Sequence, residues 1–209
     1  MDLFFPPVCL LCGRGDGWFE KPTCCFRCWQ SIQRPRRLKF PTRRKHAALA
    51  FCCGTYAGAL RTLVTRAKFN ADPLAVSLLS SLLRSMAPSI GLRRVDCLTS
   101  IPPQRSRLRT RGIDLPGYLA EKLAKSLQIP YERDLLMRVR STKSQREVSK
   151  AERLRNLRGA FRVQRHTGHT SVLVVDDVFT TGATAWAAVR AFRQAGIHRV
   201  DFLAAAAAP

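Results

Sequence analysis

Two adjacent carboxylates, Asp176 and Asp177, stand directly after four aliphatic residues, Val172, Leu173, Val174 and Val175. A threonine-rich turn follows, Thr180-Thr181-Gly182-Ala183-Thr184. The aliphatic run reads as a buried strand of a parallel sheet, ending where the acidic pair begins. Ligands of such sheets bind beyond the carboxyl ends of the strands. Neighbouring strand residues point to opposite faces, so the pair is not expected to share a proton as a dyad. Two carboxylates can instead accept hydrogen bonds from vicinal hydroxyls, as a ribose presents them. The turn leads into a helix, where free backbone N–H groups, the helix dipole and the threonine hydroxyls make an anion cradle. Gly182 lets the backbone approach closely. A ribose and its 5′-phosphate, side by side, would satisfy both halves. No GxxxxGK[ST] loop occurs, which removes a Walker-type site. A phospho-receiver or a metal-dependent hydrolase could use an acid pair after a strand but would not need the cradle.

The second constellation is sulfur. Cys9 and Cys12 form one CxxC knuckle, and Cys25 and Cys28 form another twelve residues on. Tetrahedral Zn²⁺ takes four thiolates, and paired CxxC turns supply them. In a small module with little core, a metal replaces burial as the staple. Two alternatives stay open: a module whose metal site has decayed, and Cys24 substituting for Cys25. Cys52, Cys53 and Cys97 read as buried small apolar residues. The four histidines, His46, His166, His169 and His198, show no ligand spacing and read as surface or loop residues.

The elements that must position these groups fall into three zones. Residues 1–51 are rich in Cys, Pro and Arg and weakly periodic, as expected of a zinc-binding module; residues 52–209 would form the second domain. In that domain Leu60, Leu63 and Val64, then Leu74, Leu78, Leu79, Leu82 and Leu83, put apolar side chains on one face of two helices. Residues 95–101, 171–175 and 200–206 read as strands. Residues 115–127, with Leu119, Leu123 and Leu127, read as a helix, as do residues 183–195, which Gly196 would stop. This alternation implies a parallel sheet flanked by helices. Residues 138–165 interrupt the rhythm with ten lysines and arginines and two glutamates, as an active-site loop or binding surface would.

Composition bounds the partners. The chain carries 36 Lys and Arg against 14 Asp and Glu, a net charge of +22 over 209 residues, which argues for a polyanion. Arg34, Arg36, Arg37, Lys39, Arg43, Arg44 and Lys45 cluster beside Trp29 and Phe40, and basic residues among aromatics suit single strands. The same two aromatics could equally cap the zinc module. Arg105, Arg107, Arg109 and Arg111 alternate, as suits one face of an extended segment. The chain opens Met-Asp without a cationic head, and its longest apolar run, residues 202–208, is far below a membrane span. Eight cysteines in such a chain point to a reducing compartment. The expectation is a cytoplasmic, soluble protein with no membrane insertion.

DDVFTTGAT (residues 176–184) resembles the phosphoribosyl-pyrophosphate (PRPP) signature of type I phosphoribosyltransferases. Added to it are the CxxC pairs, Tyr56 followed by Lys68-Phe69, IPPQRSRLRTRG (residues 101–112) and TKSQREVSKAERLRNLRGAF (residues 142–161). Together they are similar to the ComF/GntX family of competence-associated proteins over nearly the whole chain. The resemblance implies a type I phosphoribosyltransferase-like α/β fold with an amino-terminal Cys-rich zinc module. It implies that Asp176 and Asp177, the expected catalytic residues, hold the ribose hydroxyls, and that Thr180, Thr181, Gly182, Ala183 and Thr184 hold the 5′-phosphate. The turn at Pro102-Pro103, with Arg107 and Arg111, would face the pyrophosphate. Gln145, Arg153 and Asn156 would belong to a mobile loop, and Mg²⁺ would arrive mainly on the pyrophosphate oxygens. The implied role is DNA uptake in natural transformation, with PRPP as ligand, incoming single-stranded DNA as partner, and a DNA-uptake helicase and a DNA-processing protein as further partners. The alternative is an active phosphoribosyltransferase acting on a nucleobase-like acceptor in salvage. Where members commonly read Arg-Gly-Phe-Asn-Gln, this chain reads Arg111-Gly112-Ile113-Asp114-Leu115. Two amide side chains are thereby absent near the expected pyrophosphate site, which bears on turnover more than on binding.

Overall fold

The structure, a computed structural model, describes residues 8–15, 19–21, 24–38, 49–88, 95–140, 157–164 and 168–209. In chain order the elements are β1 (Phe19–Lys21), β2 (Cys24–Cys25), α1 (Phe26–Ile32), β3 (Arg36–Leu38), β4 (Ala50–Cys52), α2 (Gly58–Phe69), α3 (Pro73–Met86) and β5 (Cys97–Ser100). Then come α4 (Arg105–Arg111), α5 (Leu115–Leu127), β6 (Leu136–Arg138), β7 (Phe161–Val163), β8 (Ser171–Phe179), α6 (Ala183–Gln194) and β9 (Arg199–Ala207). Five strands form the main sheet in the order β3-β4-β9-β8-β5. Four of them run parallel, and β3 is added antiparallel at the edge. β3 and β4 bring residues from both sides of position 51 into this sheet. The α/β class expected from the sequence, a mostly parallel sheet with helices on its faces, is the one observed.

The sheet is covered on both sides, which is why β8 opens as an unbroken aliphatic run. Leu63 of α2, Leu79 and Leu82 of α3 and Leu119 of α5 share one core with Leu173, Val175 and Leu203. Phe161 of β7, with Val189 and Phe192 of α6, shares the other with Val172, Val174 and Phe202. The four aliphatics at residues 172–175 are at most 1% exposed, each stabilising the fold by about 1.5–3 kcal/mol. They anchor the strand that carries the acidic pair. Among the described residues no helix is long and apolar enough to cross a membrane.

Two local outcomes differ from the sequence reading. β8 does not end at Val175 but continues to Phe179, because the alanines of β9 pair with it as far as Ala207. The acidic pair therefore lies within the strand, near its carboxyl end. Residues 105–111 form helix α4 where alternating arginines suggested an extended segment. Positions two apart on a helix do not share a face, so positions 105, 107, 109 and 111 are distributed around it. Gly112, at φ 68°, stops this helix by donating its N–H to the Leu108 carbonyl at 2.9 Å.

Candidate functional site

The carboxyl ends of β5 and β8 lie side by side, with the Ile101 N–H donating to the Val175 carbonyl at 3.0 Å. A cleft opens there, lined by Asp176, Asp177, Thr180 and Thr184 from the β8 side and by Pro102, Pro103 and Gln104 after β5. Leu108 of α4, Ile113, Leu115 and Pro116 complete one wall, while Lys68 of α2 and Arg138 of β6 bring positive charge. Asp176, Thr180 and Thr184 also line a smaller hollow with Gly182 and Phe202.

Both carboxylates face this cleft, contrary to the expectation that neighbours on a strand diverge. The reason lies in the alternation of β8. Leu173 and Val175 belong to one core and Val172 and Val174 to the other, yet Val178 joins the first and Phe179 the second. The alternation slips by one residue at the acidic pair. The Asp177 N–H donates to Asp176 Oδ1 at 2.8 Å, and Asp177 Oδ2 is ion-paired with Lys68 Nζ. Both partners are nearly enclosed, with 17% of the Lys68 and 9% of the Asp177 side chain exposed. Burial first, and the Asp177 charge second, push the Asp176 carboxyl up to about 8; Lys68 and the Asp177 N–H oppose them. Asp176 thus holds a proton near neutrality while its neighbour is paired with a lysine.

Gly182 caps α6 at φ 73°, a left-handed conformation that a residue with a Cβ rarely adopts. No side chain caps that helix; the nearest hydroxyl contact is Ala183 N–H to Thr181 Oγ1 at 3.4 Å. Its first-turn N–H groups are thus arranged as an anion cradle requires. Thr181 and Ala183 shape the turn but line neither hollow. Pro103 stands in the cleft as expected. Arg107 and Arg111 lie on α4, whose Leu108 reaches the cleft. Gln145, Arg153 and Asn156 lie outside the described residues.

Lys68 and Arg138 had no assigned role from the sequence. Arg138 Nε donates to the Pro102 carbonyl at 3.2 Å, and its guanidinium lies 4.6 Å from the centre of the Phe161 ring. Lys68 entered the sequence reading only through the Lys68-Phe69 pair of the family resemblance, and Arg138 only as the first residue of the basic segment 138–165.

The sulfur cluster assembles from β2, α1 and the turn at residues 9–13. The Sγ atoms of Cys9, Cys12, Cys25 and Cys28 all lie within 4.8 Å of one another. Cys12 and Cys25 are 3.8 Å apart, which matches the sulfur–sulfur edge of a tetrahedron with Zn–S bonds of about 2.3 Å. The four residues could hold a metal ion such as zinc. Cys24 is not of their number: its thiol points to the Cys25 carbonyl at 3.6 Å. Burial, then the charges of Cys9 and Cys25, raise that thiol to about 12. Burial acts the same way on Cys9, but N–H groups of Cys25, Cys12 and Leu11 outweigh it and bring the thiol down to about 6. Cys52, Cys53 and Cys97 are fully buried, as expected of small apolar residues.

The DNA utilization protein YhgH of Escherichia coli K12 is 32% identical over 133 residues, 62% of this chain, and the match spans 59% of that protein's length. YhgH of Salmonella typhi is 31% identical over 182 residues, covering 85% of this chain and 74% of that protein. The chain belongs to the ComF/GntX family. Competence protein F of Haemophilus influenzae, a further ComF relative, is 28% identical over 155 residues, 71% of this chain and 68% of that protein. No protein-family model matches the chain. Among solved structures, a glutamine PRPP amidotransferase from B. subtilis, complexed with ADP and GMP, is 22% identical. That likeness covers 68% of this chain and 30% of the other, at a TM-score of 0.45.

The departure from the usual ComF pattern has a structural account. Asp114 caps α5, accepting the Gly117 N–H at 3.0 Å, a task that asparagine and aspartate perform equally. Leu115, in the place of glutamine, is 1% exposed and packs into the core while bordering the cleft. A Cβ at position 117 would run into the Asp114 carboxylate and push the cap aside. Of the basic cluster, Arg34, Arg36 and Arg37 are exposed, the last two on edge strand β3. Trp29 is buried with Cys9 and Cys25 in the core and so caps the cysteine module; Phe40 lies outside the described residues.

Proposed function

We propose that this ComF-family chain binds PRPP in the β8–α6 cleft and acts in the cytoplasm in the handling of incoming single-stranded DNA. One observation carries the PRPP half. Two carboxylates, an uncapped helix start behind a left-handed glycine and a proline turn meet in a single cleft at the ends of adjacent parallel strands. In this reading Asp176 and Asp177 accept the 2′- and 3′-hydroxyls of the ribose. The turn from Thr180 to Thr184 receives the 5′-phosphate, and Pro102, Pro103 and Gln104 border the pyrophosphate with Lys68 and Arg138 nearby. The pyrophosphate oxygens form a hard donor set that suits Mg²⁺, which would neutralise their charge. Zinc in the four-cysteine cluster would tie the turn at residues 9–13 to β2 and α1.

The DNA half is supported by the net charge of +22 and by relatives named for DNA utilization and competence. A second reading, phosphoribosyl transfer to a nucleobase-like acceptor, is favoured by Asp176, whose proton affinity near pH 8 suits transfer at neutral pH.

The two halves are tested separately. Mg–PRPP should raise the melting temperature of the zinc-loaded protein, by the equivalent of about 2.7 kcal/mol at a hundred times Kd. Ribose 5-phosphate and pyrophosphate should each compete. Oligothymidylate binding should weaken steeply with salt, and Arg36→Glu with Arg37→Glu should flatten that dependence. Salt-insensitive or absent binding would rule out direct DNA handling.

A further inference from the structure

We propose that a cavity between α6 and the start of β7 is a stacking site for single-stranded DNA, taking one base against Trp186 and its flanking phosphates on Arg158 and Arg190. The proposal rests on the reading of the chain as a handler of single-stranded DNA and names where the strand would be gripped.

Trp186, Arg190 and Gln194 sit four residues apart on α6 and so share one face. With Ala187 and Ala191 they form one wall of the cavity, and Leu157, Arg158, Gly159 and Phe161 form the other. None of these residues lines the carboxylate cleft. The cavity measures about 210 Å³, several times the roughly 30 Å³ share of one water molecule, so it has room for a planar ring. Phe161 is buried at 5% exposure and Leu157, Trp186 and Ala187 pack partly buried against the same core, giving an apolar floor. Among the described residues, Arg158 and Arg190 are exposed and make no ion pair, and no acidic side chain lines the cavity. A tryptophan serving only to fill the core needs neither a cavity beside it nor two arginines among that cavity's lining residues.

An indole between guanidinium groups is the arrangement by which proteins hold single strands without sequence preference: the π-face stacks on any base and the cations follow the backbone. A duplex offers no free base face to such a site. Trp29, the aromatic next to the amino-terminal basic cluster, is enclosed at 5% exposure, which leaves Trp186 as the better-placed platform of the two.

The experiment is fluorescence anisotropy of an end-labelled oligothymidylate about a dozen nucleotides long, with wild type, Trp186→Ala, Trp186→Phe and the double variant Arg158→Glu/Arg190→Glu. Trp186→Ala should weaken binding by roughly 5- to 150-fold, the worth of one base–aromatic stack, and Trp186→Phe should keep most of it. The double variant changes only exposed positions. It should weaken binding and reduce the slope of log affinity against log salt by about 1.4, or 0.7 for each phosphate that is no longer neutralised. Wild-type tryptophan emission should be quenched by the oligonucleotide, and that quench should vanish in Trp186→Phe although Trp18 and Trp29 remain. Wild-type-like affinity and slope in both the folded alanine variant and the double variant would overturn the site and leave the DNA reading standing. No binding by wild type would overturn both.

Discussion

Replacing Asp176 by asparagine should stabilise the protein, and increasingly so as the pH rises. Its carboxyl titrates at about 8 in the fold against an ordinary value near 4, because burial and the Asp177 charge outweigh the help of Lys68. The native state therefore binds more protons than the unfolded chain between about pH 4 and pH 8. By linkage, stability falls across that window and the loss is complete above it. Four pH units at about 1.4 kcal/mol each give a ceiling of about 6 kcal/mol. The carboxyl borders an open cleft, where water and Lys68 can adjust, so the expected gain is about 2–4 kcal/mol at the alkaline end. Asparagine mimics the protonated acid and still accepts the Asp177 N–H. The two proteins should therefore be most alike below pH 4 and part steadily between pH 4 and pH 8. Urea denaturation of both, in zinc-containing buffer across this range, measures the difference directly. A difference that does not change with pH, or a wild type that gains stability relative to the variant, would refute the reasoning. The gain would come at the cost of ligand binding, as for other functional groups held in an unfavourable state.

Lys68→Met leaves Asp177 without its partner and should cost about 3 kcal/mol, read from urea midpoints at pH 8. Asp72→Ala removes the cap of α3, which accepts from Leu74 N–H at 3.0 Å and Ala75 N–H at 3.3 Å, and also breaks the ion pair to Arg66. It should cost about 1–2 kcal/mol above pH 5 in the same assay. Because backbone N–H groups and Arg66 hold the Asp72 carboxyl below its ordinary value despite some burial, this contribution should fade as the pH falls below 4. Cys25→Ser should lose bound metal and Cys24→Ser should keep it, as measured by metal content after purification. Chelation should lower the melting temperature of the Cys24→Ser protein as it does that of wild type.

What could be read from the sequence, and what could not, divides along physical lines. The helix at residues 115–127 was legible in full because its leucine spacing is backed by Asp114 and Pro116 at its start. β8 was legible because four fully buried aliphatics admit few other readings, but its length was not. A strand continues while a neighbour pairs with it, and the alanines of β9 carry little strand preference of their own. Helix α4 was hidden because charge alternation suggests an extended segment, whereas Gly112 and its left-handed stop were the better signal. The convergence of both carboxylates depends on a one-residue slip in β8 that no local pattern encodes. Lys68 reaches the site from more than a hundred residues away in sequence, so only the packing of α2 reveals it. The cysteine quartet was legible from spacing alone, whereas the exclusion of Cys24 needed the turn geometry that sends its thiol to the Cys25 carbonyl.

The most direct measurement of the central claim is calorimetric titration of Mg–PRPP into the zinc-loaded wild type and into Asp176→Ala/Asp177→Ala. Saturable binding near one ligand per chain is expected in the wild type, and none in the folded double variant. Wild type without heat of binding, or a double variant that binds as tightly, would contradict the assignment of the β8–α6 cleft to a phosphoribosyl ligand.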